Sequence, residues 1–214
     1  MSEVLQGETK AFRSKKSNFM IQLAGGAIFG ALSTALAIVM SPLINASRIP
    51  AWQIAMFDPT SWVWIICFLV FGLKAGIICS ITGSFGLLII DPSGIGPAFK
   101  FCATIPLILI PYFIFKLKES QKLKEPKKFI ISGIASIAVR IALMILLNLL
   151  FFATIWSDFF EFMNLEVIGI ANITGLDAIL IFTPIINLYT SVLDLVIPYI
   201  VVFMPKLDEK FEIW

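Results

Sequence analysis

The sequence predicts an all-α integral membrane protein, a bundle of six transmembrane helices, and two observations lead to this fold class. Of the 214 residues, 59% are hydrophobic and only 14% are charged, whereas soluble globular domains carry about 25% charged residues. Apolar runs also recur from residue 19 to residue 204, so they are not a single removable signal peptide. The composition therefore excludes a water-soluble globule, and a net charge of +2 gives no reason to expect nucleic acid as a partner.

Each predicted span is an apolar run, and crossing a bilayer takes about 20 such residues. The six runs cover residues 19–40, 61–71, 75–90, 97–115, 129–155 and 178–204. They make up a membrane domain over residues 19–206, which lies between a cytoplasmic N-terminal segment (1–18) and a cytoplasmic tail (207–214).

The first run contains small residues at helical spacing. Ala27, Ala31 and Ala35 lie four residues apart, and Gly30 lies on the neighbouring ridge. Residues four apart stack on one face of a helix, and small side chains let helices approach closely in lipid. This pattern predicts a docking surface, and it leaves open whether the partner is internal or another subunit.

The next two runs differ from the others in length. Run 61–71 is too short to span alone, and the turn-like stretch 71–76 follows it. We therefore expect a tight hairpin with a short second helix. The last two runs are longer than a bilayer requires, so they should tilt or project beyond it.

The basic residues predict the orientation, because lysine and arginine near span ends are retained in the cytoplasm. With six spans and both termini inside, all basic residues except Arg48, Lys100 and Arg140 lie on the cytoplasmic side. An odd number of spans would place the lysine-rich linker and the C-terminus on opposite sides. The external loops are then 41–60, 91–96 and 156–177, and the protein is a multi-pass protein of the cell membrane.

Two opposite charges lie at the same expected depth in the membrane. Arg140 is 12 residues beyond Lys128, and Asp194 is 12 residues before Lys206, so each lies about 18 Å along its helix. Buried ionisable residues in membranes are usually paired or functional, so we expect an Arg140–Asp194 ion pair. Proton coupling through Asp194 is the alternative, but a neighbouring arginine favours the ionised carboxylate.

A second set of polar residues defines a candidate substrate site. Lys100, Asn148 and Asn187 converge in the outer third of the predicted bundle. The outer ends of the helices and the loops add Trp52, Phe57, Asp58, Trp62, Asn164 and Asn172. Separately satisfied amides, a snorkelling lysine and an interfacial aromatic belt are the alternatives. Apolar walls, aromatic rings and a few amides suit a planar organic solute better than a bare ion.

Several chemistries have no support in the sequence. There is no histidine, and the three cysteines lack metal-type spacing. There is also no Gly-x-x-x-x-Gly-Lys-Ser/Thr phosphate loop, so any ATP use must be by partners. We therefore expect no enzyme activity, no metal and no cofactor.

The layout resembles the substrate-binding S component of energy-coupling factor (ECF) vitamin transporters, most closely the riboflavin-specific branch. The resemblance rests on the alanine ladder of the first helix and on four short stretches in order. These are 57–62, before the short second helix; 71–76, similar to a Gly-Pro-x-x-Gly turn without the proline; 94–97, similar to a glycine-rich loop; and 184–188, similar to a Pro-x-Asn helix start.

The resemblance implies a subunit that binds a vitamin from outside and docks through its small-residue face on a transmembrane coupling subunit. A pair of cytoplasmic ABC ATPases would drive release of the vitamin by toppling of the subunit in the membrane. Riboflavin is the lead solute, although Tyr189 and Thr190 follow the last-helix asparagine where the branch usually has a lysine, and Lys100 replaces an asparagine. The alternative is a stand-alone ion-coupled transporter that uses Arg140 and Asp194, but no internal repeat supports it.

Overall fold

The computed structural model describes residues 2–49, 52, 54–115, 123–155, 157 and 163–211. In these ranges the chain forms seven α-helices and one antiparallel pair of short strands. The helices are α1 (Ser2–Ala46), α2 (Thr60–Phe71), α3 (Leu73–Leu87), α4 (Ile95–Phe115), α5 (Pro126–Thr154), α6 (Gly175–Phe203) and α7 (Leu207–Phe211). The strands, β1 (Asn164–Leu165) and β2 (Ile170–Thr174), lie between α5 and α6.

Within the described ranges, four helices are long and apolar enough to cross a membrane, namely α4, α5, α6 and the part of α1 from Asn18 to Ala46. The other two apolar helices, α2 and α3, are shorter. Large apolar side chains are exposed along this bundle, among them Val39, Ile89 and Ile134. Apolar surface on this scale is stable in lipid and not in water, so the fold is that of a helical membrane protein.

The structure differs from the predicted boundaries in three places. The first helix begins at Ser2, so the segment predicted to precede the membrane domain continues α1. The predicted tail contains α7, and its residues 212–214 lie outside the described part of the chain. The predicted external loop 156–177 contains β1 and β2, so the all-α description applies to the bundle alone; residues 156 and 158–162 of this loop are not described.

The short helices form the hairpin that the sequence predicts. Gly72 alone joins α2 to α3, with a φ of 89° that favours glycine, and its N–H donates to the carbonyl of Phe68 at 2.8 Å. A Cβ on Gly76 would lie 2.7 Å from the Cβ of Phe68. The two helices therefore pack with almost no space between their backbones near the turn.

Glycines of α1 lie against α3. A Cβ on Gly26 would be 2.9 Å from the carbonyl oxygen of Ala75, and one on Gly30 would be 2.6 Å from the Cβ of Thr82. The assignment of Gly30 to a surface for another subunit is therefore wrong. Gly30 is buried, and it allows α1 to approach α3 within the same chain.

The core of the bundle is built around α2. Nearly every residue of this helix is buried, including Trp64 and Phe68. The indole Nε1–H of Trp64 donates to Ser33 Oγ at 2.9 Å, and Ser33 Oγ donates in turn to the carbonyl of Gly30 at 2.8 Å. The buried indole N–H of Trp64 thus has a hydrogen-bond acceptor on α1, as buried donors usually do.

The two ends of the bundle differ. We call the end with residues 54–59 and 163–174 the loop end, and the end with Gly72, residues 123–125 and α7 the linker end. At the linker end, Lys124 Nζ contacts Asp208 at 2.6 Å, and Tyr199 donates its hydroxyl proton to the Lys124 carbonyl at 2.7 Å. The hydrogen bond and the charge of Asp208 outweigh partial burial and raise the pKa of Lys124 above its ordinary value.

Candidate functional site

The centre of the bundle contains a buried ion pair between α5 and α6. Arg140 Nη1 lies 2.7 Å from Asp194 Oδ2, and the two residues are 6% and 5% exposed. This is the pair that equal depth on two antiparallel helices predicts. An isolated charge at this depth would be costly, whereas the pair carries no net charge.

Further hydrogen bonds hold both members of the pair. The guanidinium donates from Nε to Asn187 Oδ1 at 3.1 Å and from Nη2 to Thr190 Oγ1 at 2.8 Å. On the other side, Ser61 of α2 donates to Asp194 Oδ1 at 2.7 Å. We call these five residues the polar network, and they connect α2, α5 and α6.

The helical repeat of α6 explains how one arginine reaches three partners. Asn187, Thr190 and Asp194 are spaced at i, i+3 and i+7, so they lie on one face of the helix over two turns. The guanidinium has five N–H donors in a planar fork, and the three side chains of this face reach different nitrogens of it. Asn187 therefore belongs to the polar network, rather than to a separate outer layer with Lys100.

The two predicted membrane amides, Asn148 and Asn187, each donate to the carbonyl four residues earlier and differ in the partner of the amide oxygen. Asn148 donates from Nδ2 to the carbonyl of Met144 at 2.7 Å, and among the described residues its Oδ1 accepts no hydrogen bond. Asn187 uses its Oδ1 to accept from Arg140 and donates one Nδ2 proton to the carbonyl of Thr183 at 2.9 Å. Each amide thus has one spare Nδ2 proton among the described residues, and Asn148 also has a spare acceptor.

Lys100 and Asp58, both predicted site residues, form an ion pair at the loop end of the bundle. The side chains are 15% and 26% exposed. Burial acts to raise the pKa of Asp58, but the charge of Lys100, together with hydrogen bonds from Lys100 and Thr60, outweighs it and lowers the pKa. Lys100 therefore brings no uncompensated positive charge to this region.

A second contact at the loop end closes the bundle over α6. Trp52 donates its indole Nε1–H to the carbonyl of Asn164 at 3.0 Å, and its ring centroid lies 4.5 Å from that of Phe182. Buried apolar residues surround this contact, among them Met163 and Leu165. The loop after α1 and the strand pair before α6 are thus joined above the membrane helices.

Of the remaining predicted site residues, two contact each other and one is exposed. Phe57 and Trp62 form an edge-to-face pair with centroids 5.3 Å apart, and both are partly buried. Asn172 lies on β2, the strand paired with that of Asn164, and its side chain is exposed. A role for Asn172 in solute binding stays a prediction.

The alanines of α1 lie on the outside of the bundle. Ala27, Ala31 and Ala35 are all exposed, whereas Gly26 and Gly30 are buried against α3. The small residues of α1 thus form two faces with different neighbours. We call the exposed face, Ala27, Ala31 and Ala35, the alanine stripe.

Sequence reasoning missed Ser61, Thr183 and Phe182 as neighbours of the site residues. For Thr190 the signal was present, because it lies one turn after Asn187 and one turn before Asp194 on the same face. Ser61 gave no such signal, since its partner is 133 residues away in the chain.

Within the described residues, no group of three or more His, Cys, Asp or Glu side chains could hold a metal ion.

No family model, curated protein or solved structure matches this chain.

Proposed function

We propose that this chain is the substrate-binding S component of an ECF-type ABC importer, with six helices crossing the cell membrane and both termini in the cytoplasm. It binds a vitamin from outside at the loop end of the bundle. A transmembrane coupling subunit, powered by a pair of partner ATPases, then drives delivery to the cytoplasm. The chain itself carries no enzyme activity.

The observation that carries this proposal is the division of α1 into two faces. Its glycine face is occupied by α3, whereas the alanine stripe has no covering helix among the described residues. Exposed small side chains allow another membrane helix to approach closely. The polar groups suited to a solute lie on α4, α5, α6 and the loops, so docking and solute binding use different parts of the molecule.

The charges and amides support an uncharged organic solute. Lys100 is neutralised by Asp58, and Arg140 is neutralised by Asp194. The spare acceptor of Asn148 and the spare donor of Asn187 match a solute that offers both a hydrogen-bond donor and an acceptor. The isoalloxazine ring of riboflavin has both, so riboflavin remains the lead solute.

The stand-alone ion-coupled transporter is the competing function. It would require Asp194 to gain and lose a proton during each cycle. Both carboxylate oxygens already have partners, Oδ2 the guanidinium of Arg140 and Oδ1 the hydroxyl of Ser61, so the carboxylate lies in a closed set of side chains. The polar network therefore supports a structural ion pair over proton exchange.

Two measurements test the proposal. First, riboflavin binding to the purified chain in detergent is followed by quenching of flavin fluorescence, and we expect saturable binding without other subunits. Second, uptake into liposomes is compared for the chain alone and for the chain with coupling subunit and ATPases. We expect uptake only with all partners and ATP. Uptake by the chain alone under a proton or sodium gradient would contradict the proposal in favour of the ion-coupled transporter.

A further inference from the structure

We propose that Arg140 is a positioning residue for the solute site: it fixes the side-chain amide of Asn187 so that Asn187 acts only as a hydrogen-bond donor. This inference rests on the proposed function, because it assigns a role to Asn187 in solute binding. It goes beyond that function in giving Arg140 and Asp194 a part in specificity, in addition to pinning α5 to α6.

The first step is the orientation of the Asn187 amide. A guanidinium group has donors and no acceptor. The atom of Asn187 that lies 3.1 Å from Arg140 Nε must therefore be the oxygen. The opposite end of the amide, Nδ2, then points to the carbonyl of Thr183, which can only accept. Arg140 can only donate and the carbonyl of Thr183 can only accept, so each partner by itself fixes the same orientation of the amide.

The second step is the proton that remains. Nδ2 of Asn187 carries two protons, and among the described residues it has one acceptor, the carbonyl of Thr183. Asn187 is only 6% exposed, and a buried donor without a partner is unfavourable. An acceptor on a bound solute, such as a ring carbonyl or ring nitrogen, would satisfy it.

The third step is the rigidity of Arg140 itself. Its other nitrogens are held by Asp194 at 2.7 Å and by Thr190 at 2.8 Å, and Ser61 holds Asp194 from α2. Rotating the amide of Asn187 would place its NH₂ group against the guanidinium, donor against donor. The polar network thus keeps the amide in the orientation in which it discriminates between solute acceptors and donors.

A double-mutant cycle tests this coupling. The pair Arg140→Met/Asp194→Leu removes the guanidinium without leaving a lone charge in the membrane. The effect of this paired variant on the Kd for riboflavin is measured twice, once in the parent protein and once in a protein that carries Asn187→Ala. Ser136→Ala is the matched control, because it removes a buried hydroxyl of α5, one turn before Arg140, that is bonded to the carbonyl of Ser132 and lies outside the polar network. If the paired variant is not recovered from membranes, Arg140→Lys replaces it, since lysine lacks the planar fork.

We expect the paired variant to raise the Kd about tenfold when Asn187 is present, the size of one hydrogen bond in a buried site. In the Asn187→Ala background it should raise the Kd less than about twofold, and Ser136→Ala should also stay within about twofold of the parent. Equal effects in both backgrounds would show that Arg140 acts independently of Asn187 and would overturn the inference. Absence of riboflavin binding by the parent protein would instead overturn the assignment of this solute, and this inference with it.

Discussion

Gly30 of α1 and Thr82 of α3 are so close that a Cβ on Gly30 would lie 2.6 Å from the Cβ of Thr82. Gly30→Ala should therefore force α1 away from α3. We expect a loss of about 1–3 kcal/mol of stability, the usual cost of overpacking. The measurement is the thermal unfolding midpoint in detergent. Ala31→Val adds similar bulk on the exposed side of α1 and should leave the midpoint unchanged; a Gly30→Ala protein as stable as its parent would contradict the close packing.

A bulky side chain on the alanine stripe should reduce transport without reducing the affinity for riboflavin. Ala31→Trp places a large ring where a coupling subunit would approach, and we expect transport to fall at least about tenfold while riboflavin affinity stays unchanged. Leu32→Trp is the control, because Leu32 is also exposed but lies about 100° around the helix from Ala31. Equal loss of transport in both variants would show that α1 is sensitive to any added bulk and that the alanine stripe has no special role.

The ion pair of Arg140 and Asp194 should show strong coupling in stability. Arg140→Met alone leaves a buried carboxylate without its cation, and Asp194→Leu alone leaves a buried guanidinium. Each single change should cost about 3–5 kcal/mol, whereas the two together should cost much less because no charge is left unpaired. Unfolding midpoints of the three variants check this. Additive losses would mean that the two charges are stabilised by other groups.

The pH dependence of stability should report the ion pair at the loop end. Lys100 holds the pKa of Asp58 below its ordinary value of 3.8, so the paired form contributes stability that is fully present above that value. The contribution is lost as the pH falls through the lowered pKa, when Asp58 is protonated. Asp58→Asn should therefore lower the unfolding midpoint at pH 6 and flatten the fall below pH 4 that the parent shows. Identical pH profiles would show that Asp58 does not gain stability from Lys100.

The helical parts of the site were predictable because an α-helix converts sequence spacing into depth and direction. Counting from basic anchors placed Arg140 beside Asp194, and the structure contains this pair. The same counting could not place Asp58 beside Lys100, because Asp58 lies in a loop where residue number gives no depth. It also separated Asn187 from Arg140, because it compared backbone depths and ignored the reach of both side chains, which brings the amide within 3.1 Å of the guanidinium.

The small residues of α1 show a second limit of sequence reasoning. Alanine and glycine both indicate close approach, but they do not indicate which neighbour approaches. Gly30 and Ala31 are adjacent in sequence and lie on faces with different environments, one buried against α3 and one exposed. Only the position of α3, set by the single-residue turn at Gly72, distinguishes them.

The α2–α3 hairpin has a consequence for the surrounding lipid. Its helices contain 12 and 15 residues, so they extend about 18 and 22 Å, whereas a bilayer has a hydrocarbon core about 30 Å thick. Neither helix reaches both faces of such a bilayer, although α5 and α6, with 29 residues each, exceed it. Because α2 is buried in the bundle, α3 is the short helix that faces lipid, and the bilayer beside α3 must be thinner for this helix to cross it. Acyl-chain length should then affect this protein more than one with uniformly long helices.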